Sequence, residues 1–294
     1  MRVFVTGASG WIGSAVVSEL IGAGHQVLGL ARSDASAAAI AAKGAEVLRG
    51  DLDALDSLRA GASGSDAAIH LAFDGNWAEF EKSVRSEARA VAEIGAVFAG
   101  SGKAFAIASG TPVVAGRAST ERDESVGGGP VAARIENARA AMALAERGVR
   151  VSLVRLPRSV HGEGERHGFI PRLIGVAREK GVSGYIGDGA NRWPAVHVLD
   201  AARLFRLAIE QAPAGSVLHA VGDEGVPVRE IAEVIGRHLN LPAGSLPLED
   251  FGFLGPFFAA DQPSSSALTR ESLGWEPVHA GLIEDVDKGH YFVA

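Results

Sequence analysis

Three glycines near the N-terminus are the residues of this chain best suited to hold a phosphate. Gly7, Gly10 and Gly13 are spaced as G-x-x-G-x-x-G. They follow an apolar run at 2–6 that predicts a buried strand, and they precede an amphipathic helix predicted from Trp11. Glycines allow a tight turn and a close approach of backbone N–H groups, and the helix N-terminus adds partial positive charge. This context predicts that the turn binds a dinucleotide pyrophosphate.

Strands and helices that would position this turn alternate along the first half of the chain. The predicted strands span 2–6, 26–30, 46–48, 67–71, 105–108 and 151–156, and the predicted helices span 11–23, 35–43, 54–60, 77–100 and 131–147. This alternation indicates an α/β fold with a doubly wound parallel sheet, the Rossmann arrangement. A ligand would bind at the carboxyl ends of its strands.

The alternation stops after Pro157, and the rest of the chain predicts a smaller, interleaved C-terminal substrate domain. We expect the dinucleotide-binding domain to span 1–156 plus about 196–222, where 216–221 is a strand that rejoins the main sheet. The substrate-side domain would comprise 157–195 and 223–294. An apolar segment, Phe251 to Phe258, is either a pocket wall or lid or simply packs against the sheet.

Charge and composition exclude several classes of function. A net charge of −7 argues against a general binder of nucleic acid or anionic membranes. Cysteine is absent, which excludes disulfides, thiolate catalysis and cysteine-based metal sites. No metal site is predicted, no run approaches the ~20 apolar residues of a membrane span, and no signal peptide is recognised. We therefore expect a cytoplasmic protein that acts on a small-molecule substrate.

Six segments, in order along residues 1 to 200, resemble those of a known superfamily. They are TGASGWIG at 6–13, GDL at 50–52, IHLA at 69–72, ASG at 108–110, RLP with VHG at 155–157 and 160–162, and VHVLD at 196–200. In these the chain resembles the extended and atypical short-chain dehydrogenase/reductases, near the NAD-dependent epimerase/dehydratase proteins. The resemblance implies an NAD(P)-binding Rossmann domain, a small substrate domain, and often a homodimer formed through two long helices. The alanine-rich stretches 77–100 and 131–147 either pair across a two-fold axis in such an interface or only cover the sheet.

The resemblance also assigns cofactor contacts to individual residues of this chain. Gly7, Gly10 and Gly13 would hold the pyrophosphate, joined in the turn by Ser9, Trp11 and Ile12. The adenine would contact Asp51 and Leu52, and Ala72 would line the path to the nicotinamide ribose. An alternative role for Asp51 is to cap the helix that follows.

The end of the second strand distinguishes NADP from NAD. A carboxylate there holds a ribose 2′-hydroxyl, whereas an arginine accommodates a 2′-phosphate. Arg32 stands about where the acid would be, and Ser33 offers a further donor. These residues favour NADP. Asp34 keeps NAD as the alternative, unless it only caps the next helix.

The superfamily's usual proton relay is missing. It consists of a tyrosine, and a lysine four residues later, on the helix after the fifth strand. Neither residue type occurs in the corresponding stretch, 130–139, and the only tyrosines are Tyr185 and Tyr291. Three hypotheses follow: an NADP-dependent reductase of a small apolar carbonyl or activated alkene with a different catalytic group, a non-catalytic NADP sensor, or an epimerase- or dehydratase-type isomerase or lyase. Because the last chemistry depends most on the tyrosine, we rank it third.

Several side chains are candidates for the replaced group. Ser109 and Thr111 follow the fifth strand, where the family keeps its active-site Ser or Thr, and Arg134 is placed to stabilise an oxyanion. Free histidine changes its charge near neutral pH, so His161 and His197 are candidate proton donors. For the substrate site we expect Arg192, Trp193 and His197, because Trp supplies an apolar face and Arg a fork of N–H donors. The alternative for Arg192 and Trp193 is packing between the two domains.

Overall fold

A computed structural model describes residues 1–73, 79–126 and 130–293. The chain divides into two compact units, each made of three segments. The first unit comprises 1–109, 125–155 and 201–218, and the second comprises 110–124, 156–200 and 219–294. Within the described ranges, no helix combines the length and the apolar character that crossing a bilayer would require.

The first half alternates strands with helices, as the sequence predicts. Its strands are β1 (Arg2–Thr6), β2 (Gln26–Ala31), β3 (Glu46–Arg49), β4 (Ala67–His70), β5 (Ala104–Gly110) and β6 (Arg150–Leu156). Its helices are α1 (Trp11–Gly22), α2 (Asp34–Ala41), α3 (Leu55–Ser63), α4 (Phe80–Phe98) and α5 (Pro130–Met142). The helix expected over 131–147 ends in a 3₁₀ turn, Ala143–Arg147. The start expected for the previous helix, Trp77, lies outside the described residues.

The second half contains shorter elements, three of them strands that its sequence does not signal. Its strands are β7 (Ser159–His161), β8 (Ser183–Tyr185), β9 (Arg192–His197), β10 (Ser216–His219), β11 (Asp223–Pro227) and β12 (Ala243–Ser245). Its helices are α6 (Phe169–Lys180), α7 (Val198–Gln211), α8 (Val228–Leu239), α9 (Gly255–Ala259), α10 (Ala267–Leu273) and α11 (Leu282–Asp287). Of the strands that the sequence missed, β7 and β12 have three residues each, too few for a periodic pattern, and β11 has the sequence DEGVP, which lacks an alternation of apolar and polar residues.

A seven-stranded parallel sheet in the order β10-β6-β5-β4-β1-β2-β3 confirms the predicted α/β fold. The strand predicted at 216–221 joins this sheet as β10, next to β6. The order reverses between β1 and β4, where the Cα partners run from Val3 and Ala67 to Thr6 and His70. Such a reversal opens a crevice at the carboxyl ends of the strands.

The core of the first unit fixes the strands that end at this crevice. Phe4 of β1, Phe105 of β5 and Phe98 of α4 are fully buried, and the rings of Phe98 and Phe105 meet edge to face with centroids 6.2 Å apart. Burial of one such side chain contributes about 2 kcal/mol. Because β1 and β5 are buried inside the sheet, the residues that follow them are held in place.

Candidate functional site

The glycine turn after β1 is closed by contacts that exclude any larger side chain. Gly7 has φ +70°, a backbone conformation that favours glycine, and a Cβ there would lie 2.8 Å from the backbone nitrogen of Ala72. A Cβ on Gly13 would lie 2.0 Å from the carbonyl oxygen of Gly7. The Gly10 N–H donates to that same oxygen at 2.9 Å. The first turn of α1 is therefore held directly against the end of β1.

The N-terminus of α1 has the electrostatic character of an anion site. Gly10 is its N-cap, and in the described part of the chain no side chain caps the helix and no acid lies in its first turn. Ser9 and Gly10 are exposed, whereas Trp11 and Ile12 are half-buried. A helix terminus of this kind presents N–H groups and partial positive charge to a phosphate.

A buried hydrogen-bond network, which the sequence does not indicate, fixes the segment after β4. The Oγ1 of Thr6 lies 2.8 Å from Nδ1 of His70 and accepts from the backbone N–H of Ala72 at 3.4 Å. Burial, reinforced by the charge of Arg134, lowers the pKa of His70 to about 4. His70 is therefore neutral at pH 7. This network holds Ala72 beside the glycine turn, as its predicted role in the cofactor path requires.

The end of β2 carries the residues expected to recognise the ribose. Arg32 is exposed, and Ser33 is the N-cap of α2, with its Oγ accepting from the Ser36 N–H at 3.1 Å. Asp34 instead lies in the first turn, where its carboxylate accepts from Arg49 Nη2 at 2.6 Å. Arg49 Nη1 also donates to the carbonyl of Ser33 at 2.7 Å. Arg49, at the end of β3, is a second cation at this position that the sequence reasoning missed.

Asp51 has the capping contacts that its alternative role predicted. Its Oδ1 accepts from the backbone N–H groups of Asp53 and Ala54, both at 2.8 Å, just before α3 begins at Leu55. Asp51 is exposed and Leu52 is half-buried. Because one carboxylate oxygen is used in these bonds, an adenine contact by Asp51 would involve the other.

Ser109 and Arg134 line one small pocket of the first unit, which we call the Ser109–Arg134 pocket. Arg134 lies on α5 with its Nε 3.5 Å from Oε1 of Glu87, and its Cζ lies 4.1 Å from the ring centre of Phe73. Asn137 donates to the other oxygen of Glu87 at 3.1 Å. The residues that line the pocket are Glu87, Val91, Ile107, Ala108, Ser109, Arg134, Asn137, Ala138 and Leu153. Arg134, paired with the buried Glu87 carboxylate, and the Ser109 hydroxyl thus share a mostly apolar pocket at the end of β5.

Thr111, the second candidate after β5, belongs to the second unit. It is buried, and Gln262 Nε2 donates to its carbonyl oxygen at 2.6 Å and lies 3.2 Å from its Oγ1. These contacts favour a positioning role for Thr111 over the predicted catalytic one. Nothing in the sequence links positions 111 and 262, which are 151 residues apart.

Three histidines of the second unit, His161, His197 and His279, form a cluster with buried carboxylates. His161 is fully buried, and its Nδ1 lies 2.9 Å from Oδ2 of Asp285. The ring of His197 meets that of His161 edge to face and stacks on that of His279, with centroids 5.5 and 4.7 Å apart. His279 Nδ1 lies 2.8 Å from Oδ1 of Asp200. Among the described residues, no three His, Asp or Glu side chains are placed to hold a metal ion.

This environment disfavours the predicted proton donors. Burial, with the nearby charge of His161, lowers the pKa of His197 to about 4, so that His197 is neutral at pH 7. Burial raises the pKa of Asp285, but the hydrogen bond with His161 and the charges of His161, His290 and His197 together outweigh it and hold the pKa below the ordinary value. The Asp200 carboxylate accepts the backbone N–H groups of Val278 and His279. Packing of the C-terminal segment accounts for this cluster better than catalysis does.

Arg192 and Trp193, both predicted to bind substrate, have different surroundings. Arg192 donates from Nε and Nη2 to the two carboxylate oxygens of Asp261 at 3.0 and 2.8 Å. This bidentate pair neutralises its charge. Trp193 is fully buried, and its ring stacks on that of Phe258 with centroids 5.4 Å apart. Trp193 therefore lies among aromatic side chains of the second unit.

Known proteins resemble the chain over nearly its whole length. An uncharacterised protein of Schizosaccharomyces pombe is 44% identical over 99% of this chain and 100% of its own length. A 2-alkyl-3-oxoalkanoate reductase of Stenotrophomonas maltophilia is 28% identical over 82% of this chain and 77% of its own. The fold matches that of DesIV, a dTDP-glucose 4,6-dehydratase of Streptomyces venezuelae solved with NAD bound, with a TM-score of 0.80 and 20% identity over 99% and 96% of the two chains.

A family model matches the part of the chain that contains the glycine turn and the main sheet. The model of the NAD-dependent epimerase/dehydratase family matches residues 3–220, which include all seven strands of the main sheet except the first residue of β1. The chain belongs to the NAD-dependent epimerase/dehydratase family.

Proposed function

We propose that this protein is an NADP(H)-dependent reductase that reduces a small apolar carbonyl compound or activated alkene without the usual tyrosine and lysine. The observation that carries the proposal is the Ser109–Arg134 pocket, which lies in the same unit as the glycine turn. It offers a cation and a hydroxyl on the two elements, β5 and α5, that border the position of the missing relay. The reductase name of the Stenotrophomonas relative supports a reduction over an isomerisation.

The first unit fits a dinucleotide, and its charges favour NADP. At Gly7 and Gly13 the neighbouring backbone is too close to admit a Cβ, and the turn leads directly into the N-terminus of α1. Near the ribose position, the one acid of the Arg32–Ser33–Asp34 segment is paired with Arg49. Arg32 and Arg49 together supply positive charge for a 2′-phosphate, whereas the paired Asp34 is a poorer acceptor for a 2′-hydroxyl.

In the mechanism that we propose, the protein binds and polarises the substrate. When bound, the cofactor supplies a hydride to the substrate carbon. Arg134, oriented by Glu87 and by the ring of Phe73, stabilises the negative charge that develops on the substrate oxygen. The Ser109 hydroxyl donates a hydrogen bond to the same oxygen. Because a guanidinium is a poor proton donor, the oxygen takes its proton from water.

The test follows NADPH consumption with a panel of aldehydes, ketones and enones. We expect turnover that depends on an added carbonyl or enone compound, and we expect Arg134→Met to lower kcat/KM by about 100-fold, as the loss of an oxyanion donor does. Arg134→Lys, which keeps the charge, should recover part of this loss. NADPH affinity, measured by titration, should change little.

Arg139→Met is the matched control, because Arg139 lies on the same helix, is exposed, and pairs with Glu136. It should leave kcat/KM unchanged. Equal rates for Arg134→Met and Arg139→Met would remove Arg134 from the mechanism. If NADPH binds tightly but no compound of the panel is reduced, the reductase proposal is wrong and the hypothesis of a non-catalytic NADP sensor is favoured.

A further inference from the structure

Arg158 is a half-buried cation of the second unit that has no role in the proposed reaction. It lies between β6 and β7, and burial lowers its pKa to about 10, so that it remains protonated at neutral pH. Its Nη2 donates to the neutral Oε1 of Gln262 at 2.5 Å. In the part of the chain that the structure describes, no carboxylate forms an ion pair with it. A buried arginine is normally paired with an acid.

Aromatic rings surround this guanidinium. Its Cζ lies 5.5 Å from the ring centre of Phe169, 5.8 Å from that of Phe257 and 6.0 Å from that of Trp193. These distances lie within the range of cation–π attraction, which holds the group in a largely apolar environment. The rings also offer a surface for the apolar part of a small molecule.

Two buried N–H donors of this aromatic cluster have no acceptor. Nε of Arg158 and Nε1 of Trp193 are both buried, and neither has a hydrogen-bond partner among the described residues. Trp193 is fully buried. Leaving a buried donor unsatisfied is unfavourable, and such groups in native proteins need a specific reason. A ligand that supplies acceptor oxygens would satisfy these donors.

We propose that Arg158 and Trp193 bind the carboxylate of a small ligand whose apolar part packs against Phe169 and Phe257. This inference goes beyond the proposed function, because it assigns a ligand site to the second unit. A carboxylate is planar and carries two acceptor oxygens, which match the N–H donors of a guanidinium. Its single negative charge balances the single cation of this cluster.

Gln262 is a positioning residue for this subsite. Its side chain is only 7% exposed; it accepts from Arg158 through Oε1 and donates to Thr111 through Nε2. The same amide therefore sets the orientation of the guanidinium and anchors it to the segment that follows β5. Gln262→Glu would supply an internal carboxylate for Arg158, and this variant should weaken binding of an anionic ligand.

The direct test measures the binding of benzoate and of its neutral isostere benzamide by calorimetry, with full-length protein saturated with NADP⁺. We expect benzoate to bind at least about tenfold more tightly than benzamide to the wild type. Arg158→Met should abolish this preference, and Trp193→Phe, which keeps an aromatic ring but removes the N–H, should reduce it by a smaller factor. Arg229→Met is the matched control, because Arg229 lies 5.3 Å from the ring centre of Tyr185 and is exposed.

The outcomes separate this inference from the proposed function. If benzoate shows no preference over benzamide in the wild type, or if phenylphosphonate binds more tightly than benzoate, the carboxylate subsite is wrong. This comparison needs no variant to fold. Benzoate binding by a protein that reduces no carbonyl or enone compound would leave the subsite supported and the reductase proposal wrong.

Discussion

The two units of this protein build their candidate sites from different materials. In the first unit, the glycine turn is defined by its backbone. Gly7 has a positive φ, the Gly10 N–H donates a hydrogen bond to the Gly7 carbonyl oxygen, and there is no room for a Cβ at Gly13. In the second unit, the candidate groups are side chains such as Arg158 and Gln262, 104 residues apart, that meet only in the folded chain. A backbone site imposes a local spacing on the sequence, whereas a side-chain site imposes none.

The largest effect that tests this comparison is expected at Gly13. In Gly13→Ala, the new Cβ would lie 2.0 Å from the Gly7 carbonyl oxygen, and backbone on both sides prevents an easy adjustment. We expect destabilisation by about 3 kcal/mol or more, together with loss of NADPH binding. Thermal denaturation and a cofactor titration measure the two effects.

Gly22→Ala is the control for that substitution, because Gly22 ends the same helix and a Cβ added there would meet no atom within 4 Å. It should bind NADPH normally and be neutral or slightly stabilised, by up to about 1 kcal/mol. Normal cofactor affinity in Gly13→Ala would show that the turn does not hold the pyrophosphate.

A smaller effect is expected where side chains contribute to the first unit's site. Arg49→Ala releases the Asp34 carboxylate and removes a cation, and Arg32→Ala removes the other. We expect the double variant to lose about 30-fold in preference for NADP over NAD, since a hydrogen bond between charged groups contributes about 2 kcal/mol. The ratio of the two dissociation constants, measured at one fixed salt concentration, reports the change.

Arg59→Ala controls for a general loss of positive charge, because Arg59 is an exposed arginine of the same unit that pairs with Asp56 and Glu93. Its ratio of dissociation constants should equal that of the wild type. An unchanged ratio in the double variant would contradict the assignment of NADP from Arg32.

These expectations show which parts of the molecule the sequence makes predictable. The alternation of strands and helices follows from periodicity, because each element buries its own apolar face, and the glycine turn follows from the spacing of its glycines. Arg49 was not predicted as a site residue, because its partner, Asp34, lies 15 residues away on another element. The aromatic rings around Arg158 were not predicted, because Phe257 and Trp193 come from separate segments that have no periodic pattern.

The same reason explains why the roles of histidines were hard to predict. The sequence makes His161 a candidate proton donor, but the partner that decides its role, Asp285, lies 124 residues later. Likewise, Tyr291 donates to Glu165 at 2.6 Å across 126 residues. Local sequence reports the residue type, whereas the pKa depends on burial and on distant charges.

The smallest expected effect concerns this C-terminal contact, and it is a pH dependence. Burial raises the pKa of Glu165 to about 7, partly opposed by the hydrogen bond from Tyr291, with the charge of Asp285 raising it further. In the unfolded chain the same carboxyl has an ordinary pKa near 4.5. Between these values the folded state binds a proton that the unfolded state does not, so this group lowers the stability as pH rises from about 4.5 to 7.

Glu165→Gln keeps an acceptor for Tyr291 and removes the titration. The free energy of unfolding of this variant, minus that of the wild type, should therefore increase by on the order of 1 kcal/mol between pH 5 and pH 7.5. Chemical denaturation at several pH values measures this difference. Glu163→Gln is the control, because Glu163 is a neighbouring, exposed glutamate, and the difference in unfolding free energy for this variant should not change with pH. If the difference for Glu165→Gln is also independent of pH, the buried acid does not titrate near neutrality. The second unit would then hold its C-terminal segment without sensitivity to pH.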